Sequence, residues 1–207
     1  MALVGANGAG KTTTMRALAG RTSTYRGEVT FGGREMRTLQ PGVRASIGLL
    51  PEVLPGFGWM TLREHLRFLS AFYPTFDLRY AGELADLLEV PLSTQLGVLS
   101  RGTKVKVAFV AAEAFRPAVL LLDEPTAGLD PVARRDVLRL VHERFPPGGE
   151  RLVVFSTHIL EDIEVLAERV VVLEEGHVRL DSSLAALGAG EGKAGLAERL
   201  YGDARHD

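Results

Sequence analysis

The residues Gly5-Ala6-Asn7-Gly8-Ala9-Gly10-Lys11-Thr12, close to the amino terminus, are the strongest indication of the fold. It matches the pattern G-x-x-x-x-G-K-[ST], in which a glycine-rich loop wraps its backbone N–H groups around phosphates. Glycines are needed because side chains would keep the backbone away from the anion. Lys11 is expected to neutralise the β- and γ-phosphates, and the Thr12 hydroxyl is expected to bind Mg²⁺. The pattern therefore predicts a site for a nucleoside triphosphate.

The flanks of this loop fit a strand–loop–helix unit. Residues 1–4 are a short apolar strand, and residues 11–20 are predicted to form a helix whose positive N-terminal end faces the anion. The expected phosphate-binding residues are Gly5, Ala6, Asn7, Gly8, Ala9, Gly10, Lys11, Thr12 and Thr13. Alone, the pattern could also be a flexible loop that leads into a helix. Motifs elsewhere in the chain are needed to choose between a phosphate-binding loop and a flexible one.

The bulk composition excludes several classes of protein. The chain has 207 residues, 46% of them hydrophobic, and can bury one large core or a core with a subdomain. The absence of cysteine excludes disulfides, thiolate metal sites and a cysteine nucleophile. With 24 basic and 26 acidic residues the net charge is -2, whereas nucleic-acid-binding proteins usually carry a basic excess. No apolar run approaches the ~18 residues that span a bilayer, so we expect a cytosolic chain.

Strand patterns alternate with helix patterns along the chain. Strands are predicted over 27–33, 46–50, 119–122 and 152–155, with a hairpin over 170–180. Helices are predicted over 61–73, 77–89, 100–115 and 160–167, with another from Asp130-Pro131 onward. This alternation predicts an α/β fold with a mostly parallel sheet covered by helices. The helical run 61–118 is a candidate inserted subdomain, and 188–207 is expected to be a polar, frayed helical tail.

Two acidic residues follow one of the buried-strand patterns. Asp123 and Glu124 come directly after 119–122, at the carboxyl end of the strand, where the phosphate loop should also lie. Phosphoryl transfer to water needs a phosphate cradle, a metal ion and an oriented nucleophile. Asp123 suits Mg²⁺, and Glu124 is the candidate for polarising the attacking water. An isolated acidic pair could be a helix-capping turn, but beside a phosphate loop it predicts hydrolysis of the triphosphate.

Three further motifs make residues 1–185 resemble the nucleotide-binding domain of an ABC transporter. Leu99-Ser100-Arg101-Gly102-Thr103 stands where that family has L-S-G-G-Q. Ala127-Gly128-Leu129-Asp130 resembles the family's D-loop, and Ser156-Thr157-His158 resembles its switch histidine. The motifs occur in the family's order and at compatible spacings. The resemblance implies a P-loop NTPase core with an inserted α-helical subdomain, an ATP-binding domain over 1–187, and a bacterial exporter-type or multidrug-type subclass.

The resemblance also implies an ATPase that works as two domains facing head to tail. Each ATP would lie between the phosphate loop of one domain and Ser100 and Gly102 of the other, which meet the γ-phosphate at a helix N-terminus. This closure excludes water, so ATP joins the domains and hydrolysis releases them. His158 would contact the γ-phosphate and hold Glu124 and the water in place. Asp130 of the D-loop is also expected to bind the nucleotide.

The chain departs from the family's pattern at two places. Glu52 occupies the position of the usual glutamine before the helical subdomain, as in some exporter-type relatives. Its carboxylate can approach Mg²⁺ or water, so Glu52 joins Thr12 and Asp123 as an expected metal ligand. In the signature, Arg101 and Thr103 replace a glycine and the glutamine. Because the phosphate-contacting Ser100 and Gly102 are retained, we expect catalysis to survive.

The family's antiparallel strands and adenine-stacking aromatic residue do not precede Gly5 in this sequence, and these N-terminal strands are expected to be largely missing. Loss of the stacked ring would cost about 1 kcal/mol of binding free energy. Either a misassigned start codon or a truncated copy would explain the missing strands and aromatic residue, and a misassigned start codon is favoured.

The partners implied by the resemblance are integral membrane transport subunits and a second ATP-binding subunit, identical or different, with no nucleic acid. The chain would then be held at the cytoplasmic face of the membrane. Residues 54–60, Leu-Pro-Gly-Phe-Gly-Trp-Met, lie where the family receives a helix of its membrane partner. Packing of this apolar loop on the chain's own helical subdomain is an equal alternative.

Two other functions stay open. One is a non-transport ABC ATPase of translation or DNA repair, although the short separation of Lys11 and Ser100 leaves no room for an inserted arm. The other is a truncated nucleotide-binding regulatory fragment, against which the intact Glu124 and His158 argue.

Overall fold

A six-stranded sheet forms the centre of the computed structural model, which describes residues 1–22, 24–39, 43, 46–50, 56–73, 75–146, 148–188 and 192–201. The strands are β1 Ala2–Val4, β4 Ile47–Leu50, β5 Val119–Leu122, β6 Leu152–Thr157, β7 Arg169–Glu174 and β8 His177–Ser183. They lie in the order β4-β5-β6-β1-β7-β8. These neighbours pair in parallel, except for the antiparallel hairpin β7-β8. The predicted α/β class with a mostly parallel sheet is confirmed.

Several helices begin at a capping side chain. They are α1 Lys11–Leu18, α2 Leu62–Ser70, α3 Leu78–Leu87, α4 Arg101–Glu113, α5 Pro131–Arg144, α6 Leu160–Leu166 and α7 Gly192–Tyr201. Thr61 and Glu64 form a reciprocal capping box at the start of α2. Asp77 caps α3, and Asp130 caps α5 with Pro131 in the first turn. The predicted helices are confirmed, with ends that differ by a few residues.

The two faces of the sheet are covered by different elements. One face, which includes Val4 and Leu120, packs against α4, α5, α6 and α7. The opposite face, which includes Leu3 and Leu121, packs against α1 and a small hairpin of β2 Thr30–Phe31 and β3 Arg34–Glu35. Adjacent residues fall in different clusters because side chains alternate across a strand. Burial on both faces explains why β5 is a continuous apolar run.

Helices α2, α3 and α4 share a core of their own. It contains Leu62 and Leu66 from α2, Leu84 from α3, and Val107 and Val110 from α4. Helix α4 also contributes to the main core, through Phe109 for example, so it connects the helical region to the sheet. The limits of a subdomain over 61–118 and of a domain over 1–187 stay predictions.

Within the predicted tail over 188–207, the residues Gly192–Tyr201 form the helix α7. Leu196 and Leu200 of α7 are buried in the same cluster as the sheet residue Val172. Arg179 of β8 donates to the last carbonyls of α7, those of Arg199 and Leu200. Residues 188–207 are polar in composition, but two leucines at i, i+4 spacing form one apolar stripe on the helix. No helix among the residues that the structure describes is long and apolar enough to cross a membrane.

Candidate active site

The loop between β1 and α1 has the backbone of a phosphate cradle. Gly8 and Gly10 have φ angles of 86° and 103°, which favour glycine. A Cβ atom on Gly5 would lie 2.4 Å from the carbonyl oxygen of Leu173 in β7, so the loop reaches its place against the sheet only with glycine there. Gly10 gives α1 no side-chain cap. The first N–H groups of α1 therefore have neither an intrahelical partner nor a capping side chain, which is the arrangement that binds anions.

Lys11 is buried at the mouth of this loop. Its Nζ donates to the carbonyl oxygens of Gly5 at 2.8 Å and Ala6 at 3.2 Å, and lies 3.2 Å from Glu124 Oε1. A buried ammonium needs such oxygens, because an unpaired charge away from water is strongly destabilising. The loop and Glu124 therefore hold the positive charge in one place.

A hydroxyl network joins the two acids that follow β5. Asp123 Oδ1 accepts hydrogen bonds from Thr12 at 3.2 Å and from Ser156 at 2.7 Å. Ser156 Oγ in turn accepts from the backbone N–H of Glu124 at 2.8 Å. Asp123 and Ser156 are side by side because β5 and β6 pair Leu122 with Phe155 in register. No role was predicted for Ser156, although a hydroxyl at the end of the neighbouring strand is a signal that could have indicated it.

Glu124 and His158 are brought together as predicted, although their roles stay predictions. His158 Nδ1 lies 2.9 Å from Glu124 Oε2. Glu124 has a φ angle of 50°, a left-handed conformation that costs free energy for any residue with a Cβ atom and that is typical of functional sites. Its carboxylate therefore touches Lys11 through one oxygen and His158 through the other.

A cavity of about 410 Å³ lies over these side chains, a size typical of small-molecule sites. It is lined by Asn7, Gly8, Gly10, Lys11, Thr12, Thr13, Glu124, Ala127 and His158. The other loop residues, Gly5, Ala6 and Ala9, line a neighbouring hollow between the loop, β7 and α7. Most of the predicted phosphate-binding residues therefore converge on one cavity at the carboxyl ends of β1, β5 and β6.

The donor set fits a metal ion shared with phosphates. The oxygens Thr12 Oγ1 and Asp123 Oδ1 converge to 3.2 Å. Mg²⁺ is usually held by one or two protein oxygens, substrate phosphates and water. Among the described residues, no group of three or more His, Cys, Asp or Glu could hold a metal alone. Glu52, the third expected ligand, lies outside the described residues.

Ser100, Gly102 and Asp130 are not among the described residues that line this cavity; from the D-loop, Ala127 is. Ser100 caps α4 by accepting from the backbone N–H of Thr103 at 3.2 Å. Asp130 caps α5, and hydrogen bonds from the backbone N–H groups of Ala133 and Val132 lower the pKa of its carboxyl. The structure therefore gives Ser100 and Asp130 capping contacts at the starts of two neighbouring helices.

A second buried carboxylate lies close to the site and was not predicted. Asp162 of α6 accepts hydrogen bonds from the hydroxyls of Thr126 and Thr157 and from Arg134. In the sequence Asp162 stands between Glu161 and Glu164, and nothing distinguishes it there from a solvated acid on a helix surface.

Comparisons with known proteins point to one family. The family model described as ABC transporter matches residues 1–127. YtrB of Bacillus subtilis, an ABC transporter ATP-binding protein, is 36% identical over 84% of this chain, which spans only 59% of the length of YtrB. EcsA, an ABC-type transporter ATP-binding protein of the same bacterium, is 32% identical over 89% of this chain and 76% of EcsA.

Solved structures are similar as well. The structure of an ATP-binding subunit of an ABC transporter has a TM-score of 0.79 and 30% identity, covering 98% of this chain and 86% of that one. The dimeric post-hydrolysis structure of the ATP-binding cassette MJ0796, bound to ADP and Pi, has a TM-score of 0.75 at 22% identity, covers 88% of this chain and 84% of that one, and shows the fold alone. The chain therefore belongs to the ABC transporter family and has the P-loop NTPase fold.

Proposed function

We propose that this chain hydrolyses ATP with Mg²⁺ and thereby drives transport through separate membrane subunits at the cytoplasmic face of the membrane. The observation that carries the proposal is the convergence of Lys11, Glu124 and His158 on one cavity over a glycine loop. A phosphate-binding cation, a carboxylate base and a histidine in contact with that base are the groups that hydrolysis of a triphosphate requires.

The phosphates of ATP would be held by Lys11 and by the N–H groups at the start of α1. Lys11 Nζ lies 3.2 Å from Glu124 Oε1, so a γ-phosphate that contacts the ammonium also comes within reach of the carboxylate. Thr12 and Asp123 would hold Mg²⁺, which offsets the charge of the phosphate oxygens.

Glu124 would act as the general base. Its carboxylate accepts the proton of a water molecule while the water oxygen attacks the γ-phosphorus and the bond to the bridging oxygen breaks, giving ADP and phosphate. His158 would orient this carboxylate through the 2.9 Å contact. Ser156 fixes the backbone of the base by accepting from its N–H.

A head-to-tail pair of chains would complete the site. Ser100 is exposed at the start of α4 and lies outside the lining of the cavity in its own chain, so it is available to an ATP held by a partner. Gly102 stands in the first turn of α4, where its N–H group has no intrahelical partner. The solved structure of MJ0796 bound to ADP and Pi, which has the same fold, is dimeric.

The helical region offers a surface for a membrane subunit. Phe57 and Trp59 are 54% and 65% exposed and stack at 5.7 Å, while Met60 beside them is buried in the helical core. Phe68 and Phe72, also exposed, meet edge to face at 5.1 Å. Exposed aromatic rings that pack on one another are typical of an interaction site. Packing against the chain's own subdomain therefore accounts for Met60. The rings of Phe57 and Trp59 stay exposed and would contact the partner.

An ATPase assay with Glu124→Gln tests the hydrolysis. The variant should keep the thermal stabilisation by MgATP, because Lys11 and the loop are unchanged, while turnover falls by about 10²–10⁴-fold. Glu83→Gln on the exposed side of α3 is the matched control and should turn over like the parent.

Stabilisation by ATP without turnover in the parent would favour a regulatory fragment. Copurification with a membrane protein would distinguish a transporter subunit from a non-transport ATPase.

A further inference from the structure

The buried carboxylate of Asp162 joins three segments around the cavity. Its Oδ2 accepts from the hydroxyls of Thr126 and Thr157, and its Oδ1 accepts from Arg134 Nε at 2.8 Å. Thr126 follows Glu124 by two residues, and Thr157 directly precedes His158. Both threonines and Asp162 are buried. One side chain therefore holds the backbone beside the proposed base and the backbone beside the histidine.

We propose that Asp162 is a positioning residue for ATP hydrolysis, which keeps Glu124 and His158 in register with each other. The inference rests on the proposed function. Without such a link, the 2.9 Å contact between the two side chains depends on two separate chain segments, a turn after β5 and the end of β6. A misplacement of about 1 Å between reacting groups can cost about 100-fold in rate.

The local backbone shows how the contact would be transmitted. The Thr157 hydroxyl donates to Asp162 at 3.1 Å and accepts from the N–H of Ile159 at 3.0 Å, so it fixes the turn that presents His158. On the other side, the carbonyl of Thr126 accepts from Leu129 N–H, and that of Glu124 accepts from Ala127 N–H. The turn after Glu124 is thus hydrogen-bonded as a unit, and Asp162 holds it through the Thr126 hydroxyl.

All three side chains around Asp162 donate hydrogen bonds to its carboxylate. Two hydroxyls and one guanidinium group donate to its two oxygens, and the positive charge of Arg134 balances a charge that is otherwise costly to bury. An asparagine in its place would turn an N–H group toward one of these donors. Asp162→Asn should therefore disrupt the link, and a threonine-to-valine change should remove one arm of it while keeping the carboxylate.

Glu113 provides a matched comparison away from the cavity. It is also fully buried, and it accepts two hydrogen bonds from Arg151, both at 2.6 Å, and one from Tyr80 at 3.3 Å. These contacts join α3 and α4 to the residue before β6, at the end of the strand opposite His158. Loss of this carboxylate should lower stability and leave the reacting groups in place.

Steady-state ATPase kinetics of Thr126→Val, Thr126→Ser, Asp162→Asn and Glu113→Gln test the inference. Thr126→Val should lower kcat by about 10–100-fold with an unchanged KM for ATP and an unchanged thermal shift with MgATP. Thr126→Ser, which restores the hydroxyl, should recover most of the rate. Asp162→Asn should match or exceed the loss in Thr126→Val, while Glu113→Gln should lower Tm and keep kcat.

Three results would decide against the inference. The first is an equal kcat in Thr126→Val and the parent, the second is a rise in KM alone, and the third is a loss of kcat that Glu113→Gln reproduces. Each of them would overturn the inference and leave the proposed function intact. If Asp162→Asn does not fold, Thr126→Val and Thr157→Val carry the same test. A parent chain that folds and binds ATP without hydrolysing it would remove the proposed function and this inference together.

Discussion

Two helix N-termini, those of α1 and α4, are expected to meet the same phosphates, yet the chain builds them in opposite ways. Helix α1 begins after Gly10 without a side-chain cap, while Ser100 caps α4 through the N–H of Thr103. A serine cap stabilises a helix by about 1 kcal/mol relative to alanine. The start of α1 lacks this stabilisation and has a buried lysine beside it. At the start of α4, by contrast, the N–H group of Thr103 already has a partner without a ligand.

The α1 half of the site is therefore the preorganised one. The loop and α1 are held by the sheet, because Gly5 touches β7 and Lys11 touches Glu124 after β5. Ser100 is exposed, and its hydroxyl lies 2.8 Å from the Thr103 hydroxyl. ATP should therefore bind first to the α1 half, and the α4 half of a partner should exchange a local cap for a phosphate contact.

The largest effect is expected at the α1 half. Lys11→Ala removes the charge that lies in the cavity, and the loss of charge-assisted hydrogen bonds to the phosphates should weaken ATP binding by about 100-fold. Thermal-shift titration with MgATP measures the change, with Arg79→Ala as a control because that side chain is 90% exposed on α3. If Lys11→Ala is stabilised by MgATP as strongly as the parent, the loop is not the ATP site.

The α4 half should show a smaller effect and only on hydrolysis. Ser100→Asp keeps a good capping side chain but adds a negative charge where the γ-phosphate of a partner would lie, so turnover should fall by about 10–100-fold. Binding of MgATP by the single chain should be unchanged. Ser100→Asn, which caps equally well without charge, is the control and should lose less.

A mixture of the two defective chains tests the head-to-tail arrangement directly. A pair of Lys11→Ala and Ser100→Asp chains contains one site with an intact lysine and an intact serine. The mixture should therefore hydrolyse ATP faster than either variant alone, in the same assay at equal total concentration. Additive rates in the mixture would show that both residues act within one chain.

The residues at the strand ends could be predicted from the sequence, and the links between them could not. Lys11, Asp123 and His158 each follow an apolar strand, and parallel strands bring their carboxyl ends to one edge of a sheet. The partners of Ser156 and Asp162 depend on the order β5-β6-β1 and on which face of α6 is buried, and no short-range pattern encodes either. The packing of α7 was missed because two leucines are a weak signal in a polar stretch.

A moderate effect on stability is expected from the link at Ser156. Ser156→Ala removes an acceptor from the partly buried N–H of Glu124 and a buried donor to Asp123. Leaving such groups unsatisfied should lower the free energy of unfolding by about 1–3 kcal/mol, measured by urea denaturation. Ser70→Ala removes an exposed hydroxyl at the end of α2 and should cost at most about 0.5 kcal/mol. Equal losses in the two variants would show that the Ser156 link adds no stability.

The smallest effect is expected at the cap of α5, whose contribution to stability depends on pH, unlike that of the α4 cap. Backbone hydrogen bonds from Ala133 and Val132 lower the pKa of Asp130 in the folded state, so its ionised form stabilises the fold above the unfolded-state pKa of about 4. That contribution is lost as the pH falls through the folded-state pKa. The neutral cap of Ser100 has no such dependence.

Asp130→Asn should therefore match the parent in acid and fall slightly below it at neutral pH, as measured by Tm between pH 3 and 7 in steps of about one unit. The same variant tests the expectation that Asp130 binds nucleotide. A weakened thermal shift with MgATP would give Asp130 a direct role at the phosphates, whereas an unchanged shift would assign its carboxylate to the helix cap alone. The first result would make the start of α5 a third helix terminus of the site, beside those of α1 and α4.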